Sequence, residues 1–227
     1  LSKVYKIPLL VKGASYFYPY LIERIKGEVS PVLEVVVQNG SVLLNTNEVN
    51  YSFGALYKVF KKTFEKIRIQ DRKIDKVLIL GFGTGSVAQL LCDAFNEQIE
   101  IVGVEADQQV IDLGYKYFNL SAYKKLTLHK VEALHFVQSC KQKFDFVVVD
   151  IFIDDQTPDA YSEPSFIQSL KSVLQIDGTV LINRMITSQK TEQQTLDLME
   201  YIKKEFGNIE VLRFDNGGSN NWMLLNK

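Results

Sequence analysis

The sequence predicts an α/β fold: a doubly wound, mostly parallel seven-stranded sheet with an antiparallel C-terminal edge strand, preceded by a small N-terminal β-rich extension. Three observations carry that expectation. From Val77 onward, apolar runs of strand length alternate with stretches of helical periodicity, the order that lays parallel strands between two layers of helices. The first run, Val77-Leu-Ile-Leu80, breaks at Gly81-Phe82-Gly83-Thr84-Gly85 and leads into the helical spacing of Ser86–Cys92. Near the end, Asn208–Phe214 and Asn221–Leu225 are joined only by Asp215-Asn-Gly-Gly218. So short a link cannot cross over between parallel strands, which makes this pair antiparallel.

Taken in order, residues 1–50 read as the β-rich extension and 51–227 as a Rossmann-like domain. Val4–Val11 and Pro31–Gln38 are rich in β-branched and apolar residues, and Asn39-Gly40 is a type I′ turn signal with Ser41–Asn45 as the return strand. The aromatic cluster Tyr16-Phe-Tyr-Pro-Tyr20 reads as simple packing, with a pocket wall or an oligomer interface as the alternatives. Phe53, Leu56, Phe60 and Phe64 recur at helical spacing between lysines, an amphipathic helix. After the glycine turn come a strand at Ile99–Glu105, a helix from Asp107 to Phe118 with Asp107 as its N-cap, and a strand at Leu126–His129. A helix starting at Glu132 follows, then a buried strand Phe144–Asp150, a Pro-bounded loop, a helix over Ser165–Val173, a strand at Gly178–Asn183 and a helix at Lys190–Phe206.

The formal net charge of −1 and the lack of a basic stripe point away from nucleic acid. No run reaches bilayer-crossing length, nothing near Leu1 has the layout of a signal peptide, and the sequence opens on Leu rather than Met. Cys92 and Cys140 lack metal-type spacing and fit a reduced, cytoplasmic setting, so no metal is expected.

Strand, glycine turn and helix together let a backbone pass close to a nucleotide ligand, since glycine has no Cβ to clash and a helix start offers unpaired N–H groups. The same layout also serves as a tight turn without a ligand. Glu105 ends the next strand about two dozen residues after Gly81, where an acid takes ribose hydroxyls in a βαβ nucleotide site; the alternative is a strand-end surface acid. Glu132-Ala133 can reach an adenine edge or simply open a helix. Asp150 falls where the reactive end of a ligand belongs and can take a proton from an attacking amine, or order its loop. Asp154, Asp155 and Asp159 make that loop acidic, which suits a cationic substrate or a solvated loop. His129 and His135 are assigned to structure.

These residues resemble the class I S-adenosylmethionine-dependent methyltransferase superfamily, and within it the spermidine synthase-like group. The resemblance rests on Gly81–Gly85, Val104-Glu-Ala-Asp-Gln-Gln-Val-Ile111, Phe144–Asp150 and Pro164–Gly178, with Asn39–Tyr51 more loosely similar. It implies an S-adenosylmethionine-binding domain over 51–227 that takes S-adenosylmethionine or its decarboxylated form. Gly81, Phe82, Gly83, Thr84 and Gly85 would lie at the donor's amino-acid end, Glu105 and Ala106 at its ribose, and Glu132 and Ala133 at its adenine. Asp150 would be the catalytic acid, with Tyr51, Asp154 and Asp155 toward the substrate. Synthases of this group carry an aspartate where Thr84 stands, a glutamine where Leu43 falls, and a polar pair where Ser52-Phe53 follows Tyr51. Methyl transfer to a small-molecule acceptor, such as an amine, is therefore expected first. Aminopropyl transfer making a polyamine and a non-catalytic nucleoside-binding scaffold are the alternatives, and a homodimer is the expected assembly.

Overall fold

The computed structural model describes residues 5–46, 50–52, 54–95, 98–153, 156–215 and 220–226. A short helix, α1 (Leu9–Ala14), leads into β1 (Tyr20–Ile25), β2 (Leu33–Gln38), β3 (Ser41–Asn45) and β4 (Asn50–Ser52), which form a four-stranded antiparallel sheet in that order. The β2–β3 turn is of type I′, with Asn39 at φ 51° and Gly40 at φ 75°. The strand expected over Val4–Val11 is not found among its described residues, 5–11: Leu9–Val11 open α1. Pro8 has no N–H for a ladder, and its fixed φ of −58° suits a helix entry. Ser15 then ties the helix to the hairpin, its carbonyl accepting from Asn39 N–H at 2.9 Å and its hydroxyl from Gly40 N–H at 3.0 Å. Because α1 buries no residue, the aromatic cluster after it is not packed inside. Phe17 and Tyr18 are 82% and 80% exposed.

The remainder is α2 (Ala55–Lys66), β5 (Lys76–Leu80), α3 (Ser86–Ala94), β6 (Glu100–Glu105), α4 (Gln108–Tyr117), β7 (Leu126–Lys130), α5 (Ala133–Ser139), β8 (Phe144–Val149), α6 (Pro164–Val173), β9 (Leu174–Ile186), α7 (Gln189–Phe206), β10 (Ile209–Asp215) and β11 (Asn220–Asn226). Seven of these strands form one sheet in the order β10-β11-β9-β8-β5-β6-β7. β5 to β9 run parallel, and β11 runs against both β9 and β10. The reversed C-terminal strand thus lies one place in from the edge, and β10 is the edge.

Apolar side chains fill both faces of this sheet. Val77, Ile79, Phe146 and Met223 pack beneath α2 and α3, while Leu78, Val147, Val180 and Leu224 pack against α6 and α7. A third cluster joins Leu33, Val35 and Leu44 of the small sheet to Val110 and Leu113 of α4. Burial on both faces explains why the central strands read as unbroken apolar runs. Among the described residues, no helix is long and apolar enough to cross a membrane.

The register matters most for the site. Leu80 pairs with both Val104 and Val149, Glu105 with Lys130, and Val149 with Ile182. Gly81, Glu105 and Asp150 therefore leave three neighbouring parallel strands at one level, at the carboxyl ends where ligands bind in open α/β sheets.

Candidate functional site

The glycine turn is held from both sides. Gly81 has φ 79°, and a Cβ there would lie 2.1 Å from the Asp150 carbonyl oxygen. Only glycine lets β5 turn away this close to the end of β8. Gly81→Ala adds left-handed strain to that clash and is expected to cost about 3 kcal/mol in urea denaturation while displacing Asp150. Gly85, at φ 95°, leaves room for Leu120 rather than for a ligand: a Cβ would meet the Leu120 side chain at 2.6 Å.

Glu105 is 4% exposed, and its carboxylate organises the turn. Oε2 accepts from Gly83 N–H at 2.8 Å, and Oε1 from Ala106 N–H at 2.9 Å and Asp107 N–H at 3.1 Å. Burial pushes its carboxyl above the ordinary value, while the three N–H groups pull the other way. A carboxylate has about four acceptor positions, so the turn takes three and leaves one on Oε2.

Glu132 caps α5, with Oε2 accepting from His135 N–H at 3.1 Å. Its Oε1 accepts from the Tyr161 hydroxyl. Asp150 takes a hydrogen bond on Oδ1 from Asn183 Nδ2 at 2.9 Å, and Asn183 Oδ1 in turn accepts from Asn221 Nδ2 at 3.1 Å. Both asparagines are 2% exposed, so this amide chain fixes the acid from within the sheet. Burial raises the Asp150 carboxyl to about 7; the Asn183 bond opposes the shift and the Glu105 charge adds to it.

These three acids share one cavity of about 280 Å³. Gly81, Glu105, Ala106, Glu132, Ala133 and Asp150 all line it. Its other walls are apolar, from Val29, Ile151, Phe152, Ile153, Pro158 and Ala160, with Tyr161 between. No lysine, arginine or histidine is among its described lining. Phe82, Gly83, Thr84 and Gly85 do not line it. The Phe82 ring is buried against Gly103, Thr84 is fully enclosed, and the Gly83 N–H is spent on Glu105. Asp154, Asp155 and the side chain of Tyr51 lie outside the described residues. Asp159 accepts from Gln194 Nε2 at 3.0 Å and is occupied in holding its loop.

Sequence reasoning missed Asn183, Tyr161 and Val29. A polar residue directly after the buried run Val180–Ile182 was the available signal for Asn183; Tyr161 sits in a single 3₁₀ turn, Asp159–Ser162, and Val29 in a loop, neither of which has a readable periodicity. It also missed Arg184, 3% exposed, which donates to Ser162 Oγ at 3.1 Å and to Thr195 Oγ1 at 3.3 Å. Burial lowers its guanidinium to about 10. Arg184 fastens the wall carrying Tyr161 to α7. Among the described residues, no three His, Cys, Asp or Glu side chains are grouped to hold a metal.

Sheet order, reversed β11 and an acid rim at the strand ends define a class I S-adenosylmethionine-dependent methyltransferase-type fold. Residues 65–214 match the family model described as Spermine/spermidine synthase domain, and the chain belongs to that family. It is 29% identical over 153 residues to a probable polyamine aminopropyl transferase of Bifidobacterium longum, covering 67% of this chain and 34% of that one. It is also 26% identical over 119 residues to the human eEF1A lysine and N-terminal methyltransferase, covering 47% of this chain and 17% of that one. The chain thus spans less than half the length of either relative. A probable spermidine synthase from Corynebacterium glutamicum superposes with a TM-score of 0.75 at 18% identity, covering 90% of this chain and 79% of that one. Human methyltransferase-like protein 13 in complex with SAH superposes at 0.60 and 18% identity, covering 77% and 82%.

Proposed function

We propose that the cavity binds an adenosyl sulfonium donor, S-adenosylmethionine or a close relative, and that the protein passes the donor's methyl group to a small amine. The observation that carries this reading is the meeting of Glu105, Glu132 and Asp150 along one cavity. Its chemistry fits the donor: the remaining Oε2 position of Glu105 suits a ribose hydroxyl, and Glu132-Ala133 suits an adenine edge. A rim of acids with no described cation favours a positively charged ligand. Bound there, the donor supplies an electrophilic carbon on a positively charged sulfur.

The chain's own share is placement and proton transfer. Rigid strand ends hold the two reactants at attack distance, the largest contribution open to such a site. Asp150 accepts the proton that the amine must lose, and a carboxyl near 7 is well matched to that role. Ile151, Phe152 and Ile153 keep water from the acceptor.

Aminopropyl transfer from the decarboxylated donor is the second reading, favoured by the family and by the Bifidobacterium relative. Against it, Thr84 is enclosed and the wall beyond Asp150 is apolar as far as Ile153, which leaves a second ammonium without a described partner. Incubation of the protein with small amines and either labelled S-adenosylmethionine or the decarboxylated donor decides between them. Amine-dependent release of S-adenosylhomocysteine is expected. Release of methylthioadenosine from the decarboxylated donor alone would establish the second reading, and failure to bind either donor would remove both in favour of a scaffold.

A further inference from the structure

The loop between β1 and β2 belongs to the small N-terminal sheet, yet it reaches the large sheet's cavity. Its anchor is Asp107, 1% exposed. One carboxylate oxygen, Oδ1, caps α4 by accepting from Gln109 N–H at 2.9 Å. The other, Oδ2, accepts from Glu28 N–H at 2.8 Å and Val29 N–H at 3.0 Å. Lys130, at the end of β7, holds the Glu28 carboxylate at 2.8 Å. Gly27 lets the loop seat this closely: a Cβ there would lie 2.5 Å from Asp107 Oδ2 and 2.6 Å from the Ser30 carbonyl oxygen. Val29 is thereby set over the cavity beside Glu105 and Ala106 while staying 38% exposed. Asp107 also gives its own N–H to Glu105 Oε1, so the acid facing the ligand and the anchor of the loop are adjacent and bonded.

We infer that Asp107 is a positioning residue that clamps the β1–β2 loop as a roof over the nucleoside end of the cavity, with Val29 as its contact to the ligand. The inference rests on the adenosyl reading of the cavity and assigns the N-terminal sheet a part in binding. Asp107 does two jobs with two oxygens, and substitution can separate them. Asp107→Asn keeps one acceptor, and asparagine is a good N-cap; the amide nitrogen then faces the two loop N–H groups and releases them. Gly27→Ala unseats the loop from its own side by crowding Asp107 Oδ2, while the Asp107 carboxylate that caps α4 is retained. Val29→Ala trims exposed methyl groups and leaves every hydrogen bond in place.

The test measures the affinity of methylthioadenosine and S-adenosylhomocysteine by calorimetry, and amide exchange at Glu28 and Val29 with and without ligand. Asp107→Asn and Gly27→Ala should weaken both nucleosides about tenfold, and Val29→Ala about threefold. Ligand should slow exchange at the two loop amides in the unaltered protein but not in the first two variants. A loop that exchanges freely in those variants while affinity stays within twofold would overturn the roof and leave the adenosyl reading intact. Failure of the unaltered protein to bind either nucleoside would overturn both.

Discussion

Asp150→Asn is expected to make the protein more stable at pH 8 while lowering the proposed transferase activity. The folded-state carboxyl lies near 7 against an ordinary 3.8, raised first by burial and then by the Glu105 charge, with the Asn183 bond opposing. Between about pH 4 and 7 the unfolded chain has released this proton while the folded chain retains it, so stability falls as pH rises through that window and levels off above it. A gap of about three units corresponds to at most roughly 4 kcal/mol. Asparagine carries no charge to desolvate, and its carbonyl oxygen still accepts from Asn183. Urea denaturation at pH 8 should therefore show a gain of up to that size, shrinking toward nothing near pH 4. Turnover should fall 10²- to 10⁴-fold, the usual share of a general base. The unaltered protein should gain activity as pH rises through about 7. Equal stability of the two proteins at both pH values would mean that the acid is not held in the way described.

Glu105 should behave in the opposite sense although it is buried in the same cavity. Its carboxylate receives three backbone N–H groups, from Gly83, Ala106 and Asp107, whereas Asp150 receives one side-chain amide. Glu105→Ala strips all three N–H groups of their acceptor at once, and orphaned buried donors cost about 1–3 kcal/mol each before water enters. A net loss of about 3 kcal/mol is expected, together with loss of nucleoside binding as the glycine turn relaxes. Glu105→Gln retains one acceptor oxygen and should fold. It sets an amide nitrogen against at least one N–H donor, so nucleoside affinity should drop by roughly 1.5–3 kcal/mol. Burial raises both carboxyls, but Asp150→Asn keeps the acceptor for its one donor whereas Glu105→Ala strands three.

What was legible in the sequence follows the physics of local signals. The type I′ turn at Asn39-Gly40, the cap at Asp107, the helix start at Glu132 and the strand ends at Leu80 and Glu105 all depend on neighbouring residues and can be read from them, as can the end of β8, which falls at Val149, one residue before the expected Asp150. Given those ends and a parallel register, Gly81, Glu105 and Asp150 had to meet. The Asn183–Asn221 chain was not legible, because it joins strands 38 positions apart in the sequence through a pairing that only the inserted β11 creates. The roof over the cavity was hidden for the same reason: Glu28 and Val29 find Asp107 across almost 80 residues. The run Val4–Val11 misled because strand propensity reports burial on a pleated surface, and Leu9 and Leu10 are 87% and 89% exposed on a helix. Phe82 and Thr84 lie in the expected turn, but a turn of alternating direction sends their side chains into the protein and leaves the cavity to Gly81 and the acids.

The central claim is that the acid rim encloses an adenosyl group, and a crystal structure of the protein with methylthioadenosine tests it most directly. The account predicts a ribose hydroxyl on Glu105 Oε2, the adenine against Glu132-Ala133 and the sulfur end toward Asp150. A nucleoside bound elsewhere, or one whose ribose turns away from Glu105, would contradict it.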